Sequence, residues 1–198
     1  MNKYQASIIF ENELQPKQGL KITQGIHSNC EVTSLEKGEN FVDINFKDSE
    51  NRTHNKRLWE PTGNYPRKDS KTGVEETKQQ AIEREEVSNM AHIVKVLHIF
   101  LGEDQLGKVG GSSYEEFVDS AIKAATPKLG SKKVNLKLIY DQDGKYSVFG
   151  NFPDYIEEYV PGQEPTLKFS KWELENRCGN NKSDDTPKSG DALASLFN

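Results

Sequence analysis

The stretch Phe41-Val42-Asp43-Ile44-Asn45-Phe46-Lys47, followed by Asp48-Ser49-Glu50-Asn51 and then by Thr53-His54-Asn55-Lys56-Arg57-Leu58-Trp59, decides the fold. Val42, Ile44 and Phe46 recur at every second residue, the period of a strand with one buried face. Phe41, Asp43, Asn45 and Lys47 fall on the opposite face. The polar residues between the two segments form a hairpin turn. In the second segment Thr53, Asn55, Arg57 and Trp59 share one face against His54, Lys56 and Leu58. Such imperfect alternation marks an edge strand, or one whose outer face has a function of its own.

A second hairpin pattern follows later, in Val134-Asn135-Leu136-Lys137-Leu138-Ile139-Tyr140, Asp141-Gln142-Asp143-Gly144 and Lys145-Tyr146-Ser147-Val148-Phe149. Val134, Leu136, Leu138 and Tyr140 are expected inward; Lys132, Lys133, Lys137, Lys145 and Phe149 fall on the outer face. Asp143-Gly144 supplies the positive-φ tolerance of a tight turn. Ahead of the first hairpin, residues Leu20 to Lys37 are expected to form a bent strand or strand pair, with Gly25 permitting the sharp coil.

Between the hairpins, Glu60 to Gly73 is a loop rich in Pro and Gly. Helical periodicity begins near Glu75, with Val87, Met90, Val94, Leu97 and Leu101 as the apolar stripe. Ser113 and Glu116 have the spacing of a capping box, Phe117, Ala121, Ile122 and Ala125 supply the buried side of a second helix, and Pro127 stops it. After Phe149 a short strand is expected at Thr166 to Phe169. From Asn176 the chain turns polar, too poor in apolar side chains to order itself, until Ala192-Leu193-Ala194-Ser195-Leu196-Phe197.

Three strands, a helical segment and two strands follow the chain order of an OB barrel. The expected fold is therefore a β-rich α+β domain. It is a five-stranded OB-type Greek-key barrel with a helical insertion, at about 75–127, between strands 3 and 4, and a disordered C-terminal tail. The domain is expected over residues 1–175 and the flexible tail over 176–198.

Composition narrows the function. The 198 residues carry a formal charge of -5 and are 33% hydrophobic, with a mean hydropathy of -0.81. That balance argues against a protein that coats nucleic acid by being basic throughout. The charges nevertheless segregate: six Lys/Arg against two acids from Arg52 to Lys71, the same excess from Lys123 to Lys145, and ten acids against four bases from Glu75 to Asp119. Two basic strand regions flanking an acidic helical one suit a positive groove on an acidic body. Cys30 and Cys178 are too few for a disulfide framework, and His27, His54, His92 and His98 lack partners at metal-ligand spacing. Neither a cofactor nor a metal is expected. No secretory signal and no run of roughly 20 apolar residues is visible, so no membrane association and a cytoplasmic location are expected.

Single-stranded nucleic acid requires cations for its phosphates and flat side chains for its unpaired bases. Arg52, Lys56, Arg57, Arg67 and Lys68, interleaved with Trp59 and Tyr65, offer both. Lys137, Lys145 and Phe149 on the second hairpin would face the same groove. Trp59 could equally be a core residue. The loop Gly107 to Ser113 precedes a helix but lacks the Gly-Lys-Ser/Thr ending of a nucleotide loop. Adjacent acids such as Glu85-Glu86 and Glu115-Glu116 do not share a helix face, and solvation is their expected role. No nucleophile–base arrangement stands out, and the chain is not expected to be an enzyme.

The runs Gly25-Ile26-His27, Phe41 to Phe46, Arg57-Leu58-Trp59-Glu60-Pro61 and Asn135 to Tyr140 before an aspartate–glycine turn resemble phage-encoded single-stranded DNA-binding proteins with an OB barrel. The resemblance covers roughly Leu20 to Phe152. It implies sequence-independent binding of single-stranded DNA in replication, recombination or repair, in the host cytoplasm. It also implies a tail whose apolar tip, here Leu193, Leu196 and Phe197, contacts replication or recombination proteins; the tail departs from the family in being neutral. A protein-interaction adaptor on the same barrel, as an assembly or virion component, and a single-stranded RNA-binding module are the alternatives.

Overall fold

The computed structural model describes residues 21–141, 147–149 and 155–177. Its first strand, β1 (Gly25–Lys37), has 13 residues, too many for one short partner, and it serves two. Its first part pairs antiparallel with β4 (Val134–Tyr140), and its second part with β2 (Phe41–Lys47). The handover is a bulge between His27 and Cys30, where Asn29 adopts φ 59°. Asparagine is one of the few side chains that tolerate this left-handed region. The expected coil at Gly25 therefore lies four residues further on, and Gly25 only opens the strand.

β2 continues into β3 (Thr53–Trp59) in the register Phe41↔Trp59 to Lys47↔Thr53. Buried Asp48 builds the turn: its carboxylate accepts from the backbone N–H of Glu50 and Arg52 at 3.0 and 2.8 Å and pairs with the Arg52 guanidinium at 2.6 Å. Two short strands, β5 (Ser147–Phe149) and β6 (Ile156–Glu158), pair with the end and the start of β4 on the edge that β1 leaves free. The strand order is β3-β2-β1-β4-β5 and every ladder is antiparallel. Among the described residues no ladder joins β5 to β3, so the sheet is open where a closed barrel was expected.

The insertion consists of α1 (Lys78–Phe100), a single turn α2 (Glu103–Leu106) and α3 (Tyr114–Ala125). Thr77 and Gln80 exchange side-chain-to-backbone hydrogen bonds as a capping box, which starts α1 three residues later than the apolar pattern suggests. The buried residues of α1 are Ala81, Ile93, Val96, Leu97, Ile99 and Phe100, while Val87 is 66% exposed. Most of the buried stripe thus lies in the C-terminal half, and the N-terminal half, apart from Ala81, faces the loop after β3. From α3, Phe117, Val118, Ala121 and Ala125 join Val32, Ile44, Phe46, Leu136 and Leu138 of the sheet in one core. Tyr155, fully buried, donates its hydroxyl to the carbonyl of His92 at 3.0 Å and ties the segment before β6 to α1.

β4 is buried on both faces. Residues 166–177, ending in the helix α4 (Lys171–Asn176), cover its outer side. The segment Thr166 to Phe169, expected as a strand, is irregular.

Candidate functional site

β3 is a terminal strand of the sheet, and among the described residues nothing pairs with the middle of its outer edge. The backbone of Arg52 and Glu60, on either side of it, bonds Asp48 and Asn40. By the alternation of an antiparallel ladder, the even-numbered residues of β3 bond β2 and the odd-numbered ones point away. At the ends of that edge the carbonyl of Thr53 accepts from Ile22 N–H at 3.1 Å and the carbonyl of Trp59 from Asn89 Nδ2 at 2.8 Å. Between them the N–H and C=O groups of Asn55 and Arg57 lie along the rim of the sheet.

Beside this rim opens a cleft of about 940 Å³ between β3, the loop after it and the middle of α1. The loop is moored. The Glu85 carboxylate accepts from Thr62 and Gly63 N–H at 3.0 and 3.1 Å, and Arg84 donates to the Tyr65 carbonyl at 2.7 Å while pairing with Glu76. Gly63 is required there: at φ 66° a Cβ would meet the Lys78 carbonyl at 2.5 Å. The fixed loop leaves Tyr65 79% exposed and Trp59 63% exposed at the cleft, so Trp59 is a surface residue and not core.

Arg57 connects the aromatic groups. Its guanidinium bonds both Asp43 oxygens at 2.9 and 2.6 Å and lies 3.7 Å from the centroid of the Phe41 ring and 5.4 Å from Trp59. Trp59 meets Phe41 edge-on, at 5.9 Å and 73°. The hydrogen bonds from Arg57 hold the Asp43 carboxyl below the usual carboxylate range. A planar cation stacked on a ring and gripped by a carboxylate is held in one orientation, and its charge is largely spent inside the protein.

Lys56, the neighbour on the inner face, is different. Its ammonium lies 5.1 and 4.9 Å from the ring centroids of Phe149 and Tyr155, and burial pulls its pKa down to about 8. The same burial holds His54 at about 4 and His92 at about 3, so both imidazoles are neutral at pH 7. Lys56 is half-buried, so an outward, fully solvated Lys56 is corrected.

The cleft thus brings Lys56, Arg57, Trp59 and Tyr65 together. Arg67 and Lys68 stand exposed on the adjoining loop. Arg52 sits at the far end of β3, where Asp48 and Glu50 pair it at 2.6 and 3.3 Å. Two placements are overturned. Lys137 is 3% exposed and its ammonium bonds Glu173 and the Lys168 carbonyl at 3.1 and 3.0 Å. Phe149 packs on Phe46, His54 and Tyr155 at 5.0 to 5.3 Å, in the core and not on an outer face. The reasons differ: residues after β5 cross the outer face of β4 and cover Lys137, whereas Phe149 pairs with Leu138 and so lies on the core face by the register of the hairpin. Lys132 and Lys133 are paired with Glu158 and Glu31. Lys145, the Asp143-Gly144 turn and Leu193, Leu196 and Phe197 lie outside the described residues.

The helix supplies what sequence reasoning missed. Arg84, Glu85, Ser88, Asn89 and His92 line the cleft from α1, in a stretch expected only as a solvated acidic face. No break in the apolar stripe signals it, since Ser88 and Asn89 fall between the stripe positions Val87 and Met90. At the start of α3 the Glu116 carboxylate already accepts from the Ser112 N–H and hydroxyl, at 2.8 and 2.7 Å, in the position a phosphate would take. Among the described residues no three metal-binding side chains converge. Burial pushes the Cys30 thiol up to about 12, which keeps it protonated and poorly nucleophilic. No helix of the described residues is long and apolar enough to cross a membrane. Comparison with protein families, with curated proteins and with solved structures finds no match to this chain.

Proposed function

We propose that the chain binds single-stranded DNA without sequence preference, in the manner of the phage-encoded proteins it resembles, and has no catalytic role. One observation carries this reading: Trp59 and Tyr65 stand exposed at an open cleft beside the stacked Arg57. Exposing a tryptophan to water forfeits its burial, whereas stacking on an unpaired base is worth roughly 1–3 kcal/mol per base. Arg67, Lys68 and Lys71 on the adjoining loop supply cations that form no ion pair among the described residues. The strand order supports reading the sheet as an OB-type barrel left open at one seam. β1 is shared between β2 and β4 as that barrel requires, and His54 of β3 approaches Phe149 of β5 to 5.2 Å. Service in replication, recombination or repair, with Leu193, Leu196 and Phe197 docking on partner proteins, belongs to the same proposal.

The test is a mobility-shift titration with oligo-dT and with duplex of equal length, following Trp59 fluorescence in a Trp172→Phe background. Preference for the single strand with quenching is expected. Equal binding to both, or none, overturns the reading. The accessible rim of Asn55 and Arg57 favours one rival, an adaptor that adds a peptide strand to β3. An RNA-binding role is separated by competition with matched RNA.

A further inference from the structure

We propose that the Lys56 amine is a selective acceptor for small activated acyl groups that enter the cleft, and that this residue is a site of lysine acylation. The geometry sets it apart from its neighbours. Of the Lys and Arg side chains lining the cleft, Arg57 is bound to Asp43 and Arg84 to Glu76. Among the described residues Lys56 has neither an ion pair nor a hydrogen-bond acceptor, and its head rests against the rings of Phe149 and Tyr155. Among the described residues the groups around it are those two rings, His54 on its own strand and His92 on α1, with Lys21 and His27 beside His54. No carboxylate among them stabilises the ammonium. Ring faces attract a cation, but the loss of water outweighs them, and the pKa falls to about 8.

A neutral amine is the nucleophile of acyl transfer, and a lysine desolvated in an apolar pocket is the usual way to obtain one at neutral pH. Its lone pair forms the C–N bond to the carbonyl carbon of an acyl phosphate. The C–O bond to phosphate breaks, phosphate leaves with the electron pair, and the ammonium formed on nitrogen releases its proton to water. No oxidant or reductant is needed. The product is a neutral amide whose acyl carbons suit the two rings better than a charge does, so the modified side chain fits where it lies. The step would remove from the cleft its unpaired ammonium. Any weakening of DNA binding rests on the function proposed above, whereas the reactivity does not.

The experiment therefore uses the full chain without nucleic acid. The protein is incubated with acetyl phosphate at pH 7.5, and acetylation at each lysine is followed by peptide mass spectrometry. An amine with a pKa near 8 is about one-quarter neutral at that pH, against roughly 0.1% for an ordinary exposed lysine. Partial shielding by the rings offsets some of that advantage, and Lys56 is expected to react about tenfold faster than the exposed Lys68 and Lys71. A rate at or below theirs overturns the proposal. The pH profile gives a second reading on the unmodified sequence. The Lys56 rate should level off above about pH 8, while exposed lysines keep gaining up to about pH 10. A Lys56 profile parallel to theirs equally overturns it.

Discussion

β3 and β4 carry similar sequence patterns and have opposite surroundings. Each places cations among apolar residues, Lys56 and Arg57 on one, Lys137 on the other. Arg57 ends beside an exposed tryptophan at an open cleft, while Lys137 ends as a buried ion pair beneath α4. Alternation reports which face of a strand a side chain occupies. Whether that face meets water depends on what crosses it later in the chain, and residues 166–177 cross β4 but not β3.

The sharpest way to break this contrast is Lys137→Ala. Its side chain is 3% exposed and that of Glu173 1% exposed, so solvent screens neither. Removing the cation deprives a buried carboxylate of its paired charge, at a cost of about 3–5 kcal/mol. Denaturant unfolding should show this loss in full, and oligo-dT affinity of the folded variant should be unchanged. A loss below 1 kcal/mol would mean that the strap is not held by this pair.

Trp59→Ala tests the open side. The exposed side chain should cost within about 1 kcal/mol of stability, while oligo-dT affinity falls by about 1–3 kcal/mol, roughly 5- to 150-fold. A collapse of the thermal transition with unchanged affinity would reverse the assignment of the two faces.

Lys56→Met probes the half-buried cation through pH. The folded-state pKa of Lys56 lies below the unfolded value, so between about pH 8 and 10.5 the unfolded chain binds the additional proton. The parent should therefore gain stability across that window relative to the variant, and the variant should be the more stable of the two below pH 8. Parallel stability curves would show that the Lys56 head is solvated. At the other end of the scale, the carboxyls of Asp43 and Glu173 are held below the usual range. Arg57 does this at the first; at the second the Ser170 and Lys137 bonds outweigh the upward push of burial. Both contributions are present above about pH 4 and are lost as pH falls through the folded-state values.

The smallest expected effect is on binding by Arg52→Ala. Arg52 is committed to Asp48 and Glu50 at the turn, so oligo-dT affinity should change less than about twofold even though the turn weakens. For the same reason the salt dependence should be shallow. With Arg52, Arg57 and Arg84 internally paired, two or three phosphate contacts at about -0.7 each give a log–log slope of roughly -1.4 to -2. A slope steeper than about -4 would require those pairs to open on binding.

Much of the chain was legible beforehand. The period of Val42, Ile44 and Phe46 placed the core face of β2, Ser113 placed the start of α3, and the first hairpin turn fell where its polar residues stand. Trp59 and Tyr65 were picked out as stacking candidates and do lie at one cleft. The rest depended on contacts between residues far apart in the chain. No local pattern in Lys137 distinguishes a solvated lysine from one awaiting Glu173, 36 residues on. Nor does Phe149 announce that it will close an aromatic cluster with Phe46 and Tyr155.

By itself, then, the sequence determined β2, β3, β4 and the two longer helices, their order and the inward faces of β2 and β4, because backbone period, capping and turn chemistry act over a few residues. Tertiary structure alone decided which outer face stayed open, which cations were paired within the protein, and that α1 would form one wall of the cleft. Those outcomes are set by burial and pairing across the fold, where desolvation makes the same lysine a surface charge, a buried ion-pair partner or a weakly basic amine.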